Sequence, residues 1–241
     1  MDVRPDDRFL FSYPRSGNTW LRHIVFYALN RDHVTDMERL EQQIPTVDTL
    51  EFPARLAKLG DRQRIIKSHL PFAPYFLDGK VVYIVRDGRD TILSYYDYFQ
   101  HIHAYRGSFD QFLQKALAGR MRYGSWQDNV GSWYGYRDDP NMLLVRYEDM
   151  RADPVAMAER ILSFCGIDAD RAVCEAAVAA SDVGKVHKTF QSWNSARGTG
   201  FSGGASGGGR KDWRSRMTDD QNAFFQDHAG DLLEQLGYER S

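Results

Sequence analysis

This chain of 241 residues has few cysteines, no large excess of either charge and no long apolar run. Its two cysteines, Cys165 and Cys174, are too few for a disulfide framework or a four-thiolate zinc site. Lysine and arginine number 31 against 33 aspartates and glutamates, a formal net charge of −2, which argues against a surface built to coat nucleic acid. No apolar run reaches the roughly 18–20 residues that span a membrane.

The N-terminal segment, residues 1–7, is polar and has no apolar signal core. Together with the low cysteine content, this predicts a cytoplasmic protein, and the balanced charge and the lack of a long apolar run predict no nucleic-acid or membrane partner. Histidine, cysteine and carboxylate residues show no metal-ligand spacing, so no metal is expected. At 42% hydrophobic and 27% charged residues, the composition is typical of a globular chain, and we expect one domain over 1–241. No particular oligomeric state is predicted.

Short apolar runs alternate with helix-like stretches along the chain. The run 81–85 lacks polar alternation, as expected of a strand covered on both faces. Asp153 is placed to cap a helix whose first residue is Pro154. The alternation predicts an α/β fold with a mostly parallel central sheet flanked by helices. The predicted strands are 9–13, 65–67, 81–85 and 142–145, and the predicted helices are 19–29, 90–99, 154–165, 170–180 and 218–236.

The first predicted strand runs into a polar loop and then a helix. Unpaired N–H groups at a helix N-terminus favour an anion, and Gly17 lets the backbone approach a ligand closely. Arg15 adds a fixed cation, and no acid occurs between Arg8 and Arg31. Side-chain donors come from Ser16, Asn18 and Thr19. The segment lacks the G-x-x-x-x-G-K-[ST] pattern of a nucleotide-triphosphate loop, so the sequence predicts an anion site of another kind.

Five segments in one order resemble motifs of the sulfotransferases that use 3′-phosphoadenosine 5′-phosphosulfate (PAPS) and release adenosine 3′,5′-bisphosphate (PAP). Residues 13–20, Tyr-Pro-Arg-Ser-Gly-Asn-Thr-Trp, resemble Tyr-Pro-Lys-Ser-Gly-Thr-Thr-Trp. Residues 67–71 resemble Lys-Thr-His-Leu-Pro, and residues 82–96 resemble the family's 3′-phosphate segment. Residues 124–130 resemble Gly-Ser-Trp-x-x-His-Val, and residues 146–150 resemble Phe-Tyr-Glu-Asp-Met. The resemblance covers residues 9 to about 165 and implies the P-loop-NTPase-like sulfotransferase fold.

The resemblance implies transfer of a sulfuryl group to a hydroxyl of a small acceptor by in-line displacement. His69 is then the base, Lys67 contacts the transferring group, and Arg15 stabilises charge on the leaving side. Strand spacing puts Lys67 and His69 on one face, and an unperturbed imidazole pKa near ~6.5 suits a base at neutral pH. Because arginine is permanently protonated, Arg15 is a poor proton donor where the family has lysine.

The resemblance also assigns the residues that hold the donor. Arg86 and Ser94 resemble the 3′-phosphate clamp, and Trp20 and Tyr147 resemble the adenine contacts. A pairing of Arg86 with Asp87 or Asp90, and a plain core role for the two aromatic residues, remain the alternatives. The full expected set is Arg15, Ser16, Gly17, Asn18, Thr19, Trp20, Arg86, Ser94, Tyr147, Arg210 and Lys211.

Several positions depart from the family pattern. Asn18 replaces threonine and Asn129 replaces histidine. The segment 198–209 holds seven glycines, and the aligned positions 206–208 read Ser-Gly-Gly where the family has Arg-Lys-Gly. We therefore expect a mobile loop that closes over the donor, with Arg197, Arg210 or Lys211 acting from shifted positions.

The acceptor side is predicted from aromatic content. Residues 95–136 are rich in aromatic side chains, and residues 71–76 add a further wall, which favours a small, hydroxylated, aromatic or apolar acceptor. The alternatives are a small-molecule kinase that uses ATP on a related α/β scaffold, and a nucleotide-binding module without catalysis.

Overall fold

The computed structural model describes residues 2–34, 36–47, 49–182, 184, 186 and 212–240. The glycine-rich segment 198–209, Arg197, Arg210 and Lys211 lie outside the described residues. Their expected contact with the donor and the loop closure therefore stay predictions.

A parallel sheet forms the centre of the described chain. Its strands are β1 (Arg8–Ser12), β2 (Ile65–Ser68), β3 (Lys80–Val85) and β4 (Met142–Arg146). The described strands lie in the order β2-β1-β3-β4, and every pair is parallel. Strand β1 pairs with β2 from Arg8 opposite Ile65, and with β3 from Arg8 opposite Lys80.

The strands are buried on both faces because their side chains alternate between two hydrophobic cores. In β1, Phe9 and Phe11 enter one core and Leu10 enters the other. In the neighbouring strand β3, Tyr83 lies in the same core as Phe11, and Val82 lies in the same core as Leu10. Helices therefore cover both faces, and the fold has three layers.

The helices of the described residues are as follows. They are α1 (Asn18–Asn30), α2 (Met37–Gln43), α3 (Phe52–Leu59), α4 (Gly88–Ile102), α5 (Phe109–Leu117), α6 (Trp126–Tyr134), α7 (Tyr147–Ala152), α8 (Pro154–Phe164), α9 (Arg171–Ala180) and α10 (Asp219–Gln235). Short 3₁₀ turns occur at Pro74–Asp78 and Trp213–Ser215. No described helix combines the length and apolar character needed to cross a membrane.

The expected α/β class and parallel sheet are confirmed. Each predicted strand overlaps an observed one, and no end differs by more than one residue. The expected cap is present, since Asp153 Oδ1 accepts a hydrogen bond of 3.0 Å from the Ala156 amide and Pro154 opens α8. Helices α2, α3, α5, α6 and α7 were not predicted; each has nine residues or fewer, although Ser108 and Gln111 form a capping box at the start of α5.

Candidate active site

The carboxyl edge of the sheet brings predicted segments from four strands side by side. His69 follows β2, the loop of residues 13–17 follows β1, Arg86 follows β3 and Tyr147 follows β4. The connection after β1 runs to β2 on one side, and the connection after β3 runs to β4 on the other, so the two diverge between the adjacent strands β1 and β3. In open α/β sheets, this point of divergence forms the ligand crevice.

The loop after β1 turns on two left-handed residues, Arg15 with φ 71° and Gly17 with φ 105°. Gly17 occupies the N-cap of α1, which has no side-chain cap and, among the described residues, no acid in its first turn. The first N–H groups of α1 therefore face the loop without a neutralising charge. Ser16 is buried, and its Oγ has no hydrogen-bond partner within the described residues. An uncapped helix start beside an orphaned hydroxyl fits an anion.

Asn18 holds this loop from inside. Its Nδ2 donates to the Leu10 carbonyl at 2.9 Å and to Ser12 Oγ at 3.3 Å. The amide nitrogen therefore donates to β1, whereas the sequence predicted a donor directed toward the ligand. Thr19 lies partly exposed in the first turn of α1.

Tyr147 covers the loop from the β4 side. A Cβ placed on Gly17 would lie 2.5 Å from Tyr147 Cδ2, so only glycine permits this close approach. The ring also meets Trp20 edge to face at 6.1 Å between centroids. Trp20 is 8% exposed, whereas Tyr147 is partly exposed, which leaves Tyr147 as the more accessible of the two aromatic faces.

Arg15 and Arg86, predicted for opposite ends of the donor, are linked by hydrogen bonds. Arg15 Nε donates to Ser94 Oγ at 3.3 Å, and Arg86 Nη1 donates to the Arg15 carbonyl at 3.3 Å. The Arg86 guanidinium lies 4.8 Å from the centre of the Tyr147 ring. Burial lowers the pKa of Arg15, with Arg86 adding to the effect and the Tyr98 hydroxyl opposing it. The predicted residues thus form one continuous cationic cluster.

The sequence left open whether Arg86 pairs with Asp87 or Asp90, and the contacts of these two acids bear on that alternative. Asp87 pairs with Arg89 through contacts of 3.0 and 2.7 Å. Asp90 lies 3.9 Å from Arg86 Nη2, a long contact between partly buried groups. Burial raises the pKa of the Asp90 carboxyl to about 6, although Arg86 opposes the change. Arg86 is therefore only weakly neutralised by Asp90.

His69 is oriented by the end of β1. Its Nδ1 lies 2.7 Å from the Ser12 carbonyl oxygen, which can only accept, so Nδ1 carries the proton. The lone pair of the neutral ring is then on Nε2. Burial lowers the imidazole pKa well below its ordinary value, and the positive charges of Lys67, Arg22 and Arg15 lower it further. The neutral form of the ring, with the lone pair on Nε2, is therefore favoured.

Lys67 lies in β2, two residues before His69, and is partly exposed. Its charge acts on His69 and on the buried Glu41. Burial alone would raise the pKa of Glu41, but Arg22 and Lys67 bring it below its ordinary value. Arg22 Nη2 donates to Glu41 Oε1 at 2.9 Å, and this bond fixes the position of the carboxylate.

Two groups beside the site were not predicted from the sequence. Asn129 donates to the carbonyl of His69 at 3.0 Å, although the sequence showed it only as a departure from the family pattern. Arg216 makes a two-point ion pair with Asp97, at 2.9 and 2.7 Å. Asp97 lies three residues after Ser94 on α4, and this spacing, a signal available in the sequence, places both residues on one face of the helix.

The aromatic residues of 95–136 divide by burial. The buried members are core, among them Tyr95, Phe112, Trp126 and Trp133. Two partly exposed members lie at the site: the Tyr98 ring is 5.2 Å from the Arg15 guanidinium, and the Tyr123 ring is 5.3 Å from the His69 ring.

Comparison with known proteins places this geometry in a family. The model of the sulfotransferase domain matches residues 5–237. Human sulfotransferase 4A1 is 34% identical over 72% of this chain, and bovine sulfotransferase 1A1 is 31% identical over 93%. A mouse sulfotransferase crystallised with PAP superposes with a TM-score of 0.74 at 26% identity, over 97% of this chain and 85% of its own. The matched region spans 64% of the human relative and 82% of the bovine one. The chain belongs to the sulfotransferase domain family.

Proposed function

We propose that this protein is a sulfotransferase that moves the sulfuryl group of PAPS to a hydroxyl of a small, aromatic or apolar acceptor, with His69 as the base. The observation that carries the proposal is the contact of 2.7 Å between His69 Nδ1 and the Ser12 carbonyl. It leaves Nε2 as a proton acceptor beside the anion-binding loop, where an acceptor hydroxyl must lose its proton.

The residues of the site fit such a donor. The orphaned Ser16 hydroxyl, the uncapped start of α1 and the Arg15 cation suit the 5′-phosphosulfate. Arg86 and Ser94 suit the 3′-phosphate, and Arg86 Nε is buried without a partner among the described residues. The partly exposed Tyr147 ring offers a surface for adenine, and stacking of a base on an aromatic ring contributes ~1–3 kcal/mol.

The donor, when bound, supplies the sulfuryl group for an in-line displacement by the acceptor oxygen. His69 Nε2 accepts the proton of the acceptor hydroxyl, while Nδ1–H keeps the ring aligned through Ser12. Lys67 and Arg15 provide fixed positive charge next to the imidazole. Their charge also keeps His69 unprotonated before the reaction, because it disfavours the imidazolium.

The surroundings of His69 support an aromatic or apolar acceptor. Tyr123 presents its ring to the imidazole, and Phe72, three residues after His69, stacks on Tyr136 with centroids 3.8 Å apart. Tyr136 is 44% exposed, so this stacked pair reaches the protein surface. Aromatic walls around a single base suit a small phenol or another hydroxylated apolar molecule.

Thermal unfolding with two ligands tests the proposal. PAP should raise the melting temperature at concentrations where ATP with Mg²⁺ does not, because a ligand that binds only the native state stabilises it. Arg86→Ala should lose most of the shift with PAP, whereas His69→Ala should keep it. A larger shift with ATP and Mg²⁺ would favour the kinase alternative. Turnover of sulfate-labelled PAPS with a panel of phenols and alcohols then identifies the acceptor class.

A further inference from the structure

We propose that Asn129 is a positioning residue that holds the base and the ring facing it, His69 and Tyr123, in one arrangement. The inference rests on the proposed function of His69. Asn129 lies in α6 and is 1% exposed, so it has no access to substrate and acts through its neighbours.

The Asn129 side chain joins three segments of the chain by hydrogen bonds. Its Nδ2 donates to the His69 carbonyl at 3.0 Å and to the Tyr123 carbonyl at 3.1 Å. Its Oδ1 accepts from the Tyr83 hydroxyl at 2.8 Å, and Tyr83 belongs to the central strand β3. Both N–H groups and the oxygen of the amide are therefore engaged, which makes one rotamer of Asn129 strongly preferred.

An amide satisfies these three partners together, whereas an imidazole does not. A neutral imidazole offers one donor and one acceptor, and an imidazolium offers two donors but no acceptor. The family pattern has histidine at this position, and that side chain would leave one of the three groups unpaired. A buried unpaired group destabilises its site, so asparagine suits a position that must bind two carbonyls and a hydroxyl. In this chain the position therefore serves as a structural bridge to the proposed base.

His69 is consequently held at two points. The ring is fixed through Nδ1 to the Ser12 carbonyl, and the backbone is fixed through its own carbonyl to Asn129. The Tyr123 backbone is held by the same amide, while its ring lies 5.3 Å from the imidazole. Loss of Asn129 should release both segments, admit water to the imidazole and misplace Nε2 relative to an acceptor.

Asn129→Asp is the sharpest test, because it keeps the size of the side chain but removes both donated hydrogen bonds. Turnover should fall by roughly 10- to 100-fold, since misplacement by about 1 Å can cost about 100-fold. The affinity for PAP, measured by calorimetry, should change by less than about threefold. The pKa of His69 should rise, because hydration and the new carboxylate both favour the imidazolium.

The His69 pKa is read by NMR titration of the imidazole signal that disappears in His69→Ala, so this readout does not depend on turnover. The charged groups that act on His69 in the wild type are Lys67, Arg22 and Arg15, and all of them remain in the variant. Asn129→Ser adds no charge and should raise the pKa by a smaller amount. The acid limb of the pH profile of turnover should move with the NMR value.

Asn141→Ala is the matched control. Asn141 Nδ2 donates to the Leu77 carbonyl at 3.0 Å, the same type of bond between distant segments, but it precedes β4 at the opposite edge of the sheet. Its loss should lower stability without moving the His69 pKa. If Asn129→Asp does not fold, Asn129→Ser is the fallback, because its shorter side chain cannot reach both carbonyls, and the pKa should still rise.

The outcomes separate this inference from the proposed function. A folded Asn129→Asp protein with the wild-type His69 pKa and turnover would overturn the positioning role. A wild-type protein that binds PAP but transfers no sulfuryl group to any phenol or alcohol of the panel would instead count against the proposed function. In that case the NMR shift in Asn129→Asp would still report whether Asn129 sets the environment of His69.

Discussion

Replacing Gly17 with alanine should damage both the stability of the chain and its affinity for PAP. Gly17 has φ 105°, a region that side chains with a Cβ rarely adopt. A left-handed backbone costs an L-residue roughly 1–2 kcal/mol. The new Cβ would also lie 2.5 Å from Tyr147 Cδ2 and 3.0 Å from Cε2, so the ring must move.

The displaced ring would lose two contacts that the structure shows. One is the Arg86 guanidinium at 4.8 Å, worth about 0.5–1 kcal/mol, and the other is the edge contact with Trp20, worth about 0.5–1.5 kcal/mol. With the backbone strain, the free energy of unfolding should fall by roughly 2–4 kcal/mol. Affinity for PAP should fall at least tenfold, about 1.4 kcal/mol, because Arg86 and Tyr147 are both disturbed.

Gly166→Ala is the control that separates the cost of a left-handed backbone from the cost of the steric clash with Tyr147. Gly166 also has a positive φ, 69°, but a Cβ there would meet only the tip of Arg8 at 3.9 Å. Urea denaturation should show a loss of roughly 1–2 kcal/mol for this variant, and calorimetry should show unchanged affinity for PAP. In a Tyr147→Ala background, Gly17→Ala should cost only the backbone strain. Equal losses for Gly17→Ala and Gly166→Ala, in stability and in affinity, would refute the argument.

Three further predictions concern the titratable groups. His69→Ala should reduce turnover by roughly 100-fold or more while PAP binding stays close to wild type, as steady-state kinetics and calorimetry would show; retained turnover would remove His69 from the role of base. Arg86→Ala should weaken PAP at least tenfold, whereas Arg137→Ala, at an exposed position in the turn before β4, should not. Burial, aided by Arg22, lowers the pKa of His23 to about 4, so between pH 6.5 and 4 the unfolded chain binds more protons and stability falls as the pH is lowered. In His23→Leu, urea midpoints at pH 7, 5.5 and 4.5 should fall less steeply, and an identical pH dependence would contradict this assignment.

The sheet was predictable because its strands carry a strong local signal. A strand buried on both faces needs an unbroken apolar run, and residues 81–85 supply one that coincides with all but the first residue of β3. Helices such as α2 carry a weaker signal. Its seven residues bury Met37 and Leu40 but are otherwise mostly polar, and the N-cap Asp36 is the main local mark. Short helices of this kind depend on tertiary contacts more than on propensity.

The motifs pointed to residues that lie together at the carboxyl edge of the sheet, but not to the contacts between them. The motifs pointed to Arg15, Ser94 and Arg86, yet nothing in their spacing shows that Arg15 Nε reaches Ser94 Oγ. Arg15 lies 71 positions before Arg86 and 79 before Ser94, and only the adjacency of β1 and β3 brings them together. Asn129 illustrates the same limit, because its three partners come from three different segments.

The site is positive although the chain has a formal net charge of −2, because the acids near the site are paired with arginines. Three buried acids close to the site each bind an arginine, which removes most of their effect on the crevice. The pairs are Glu41 with Arg22, Asp87 with Arg89 and Asp97 with Arg216, at 2.9, 2.7 and 2.7 Å. Asp90 has no arginine so close within the described part of the chain, and burial raises its pKa to about 6. Because Asp90 is partly protonated near pH 6, it opposes the positive charge of Arg86 only weakly at that pH.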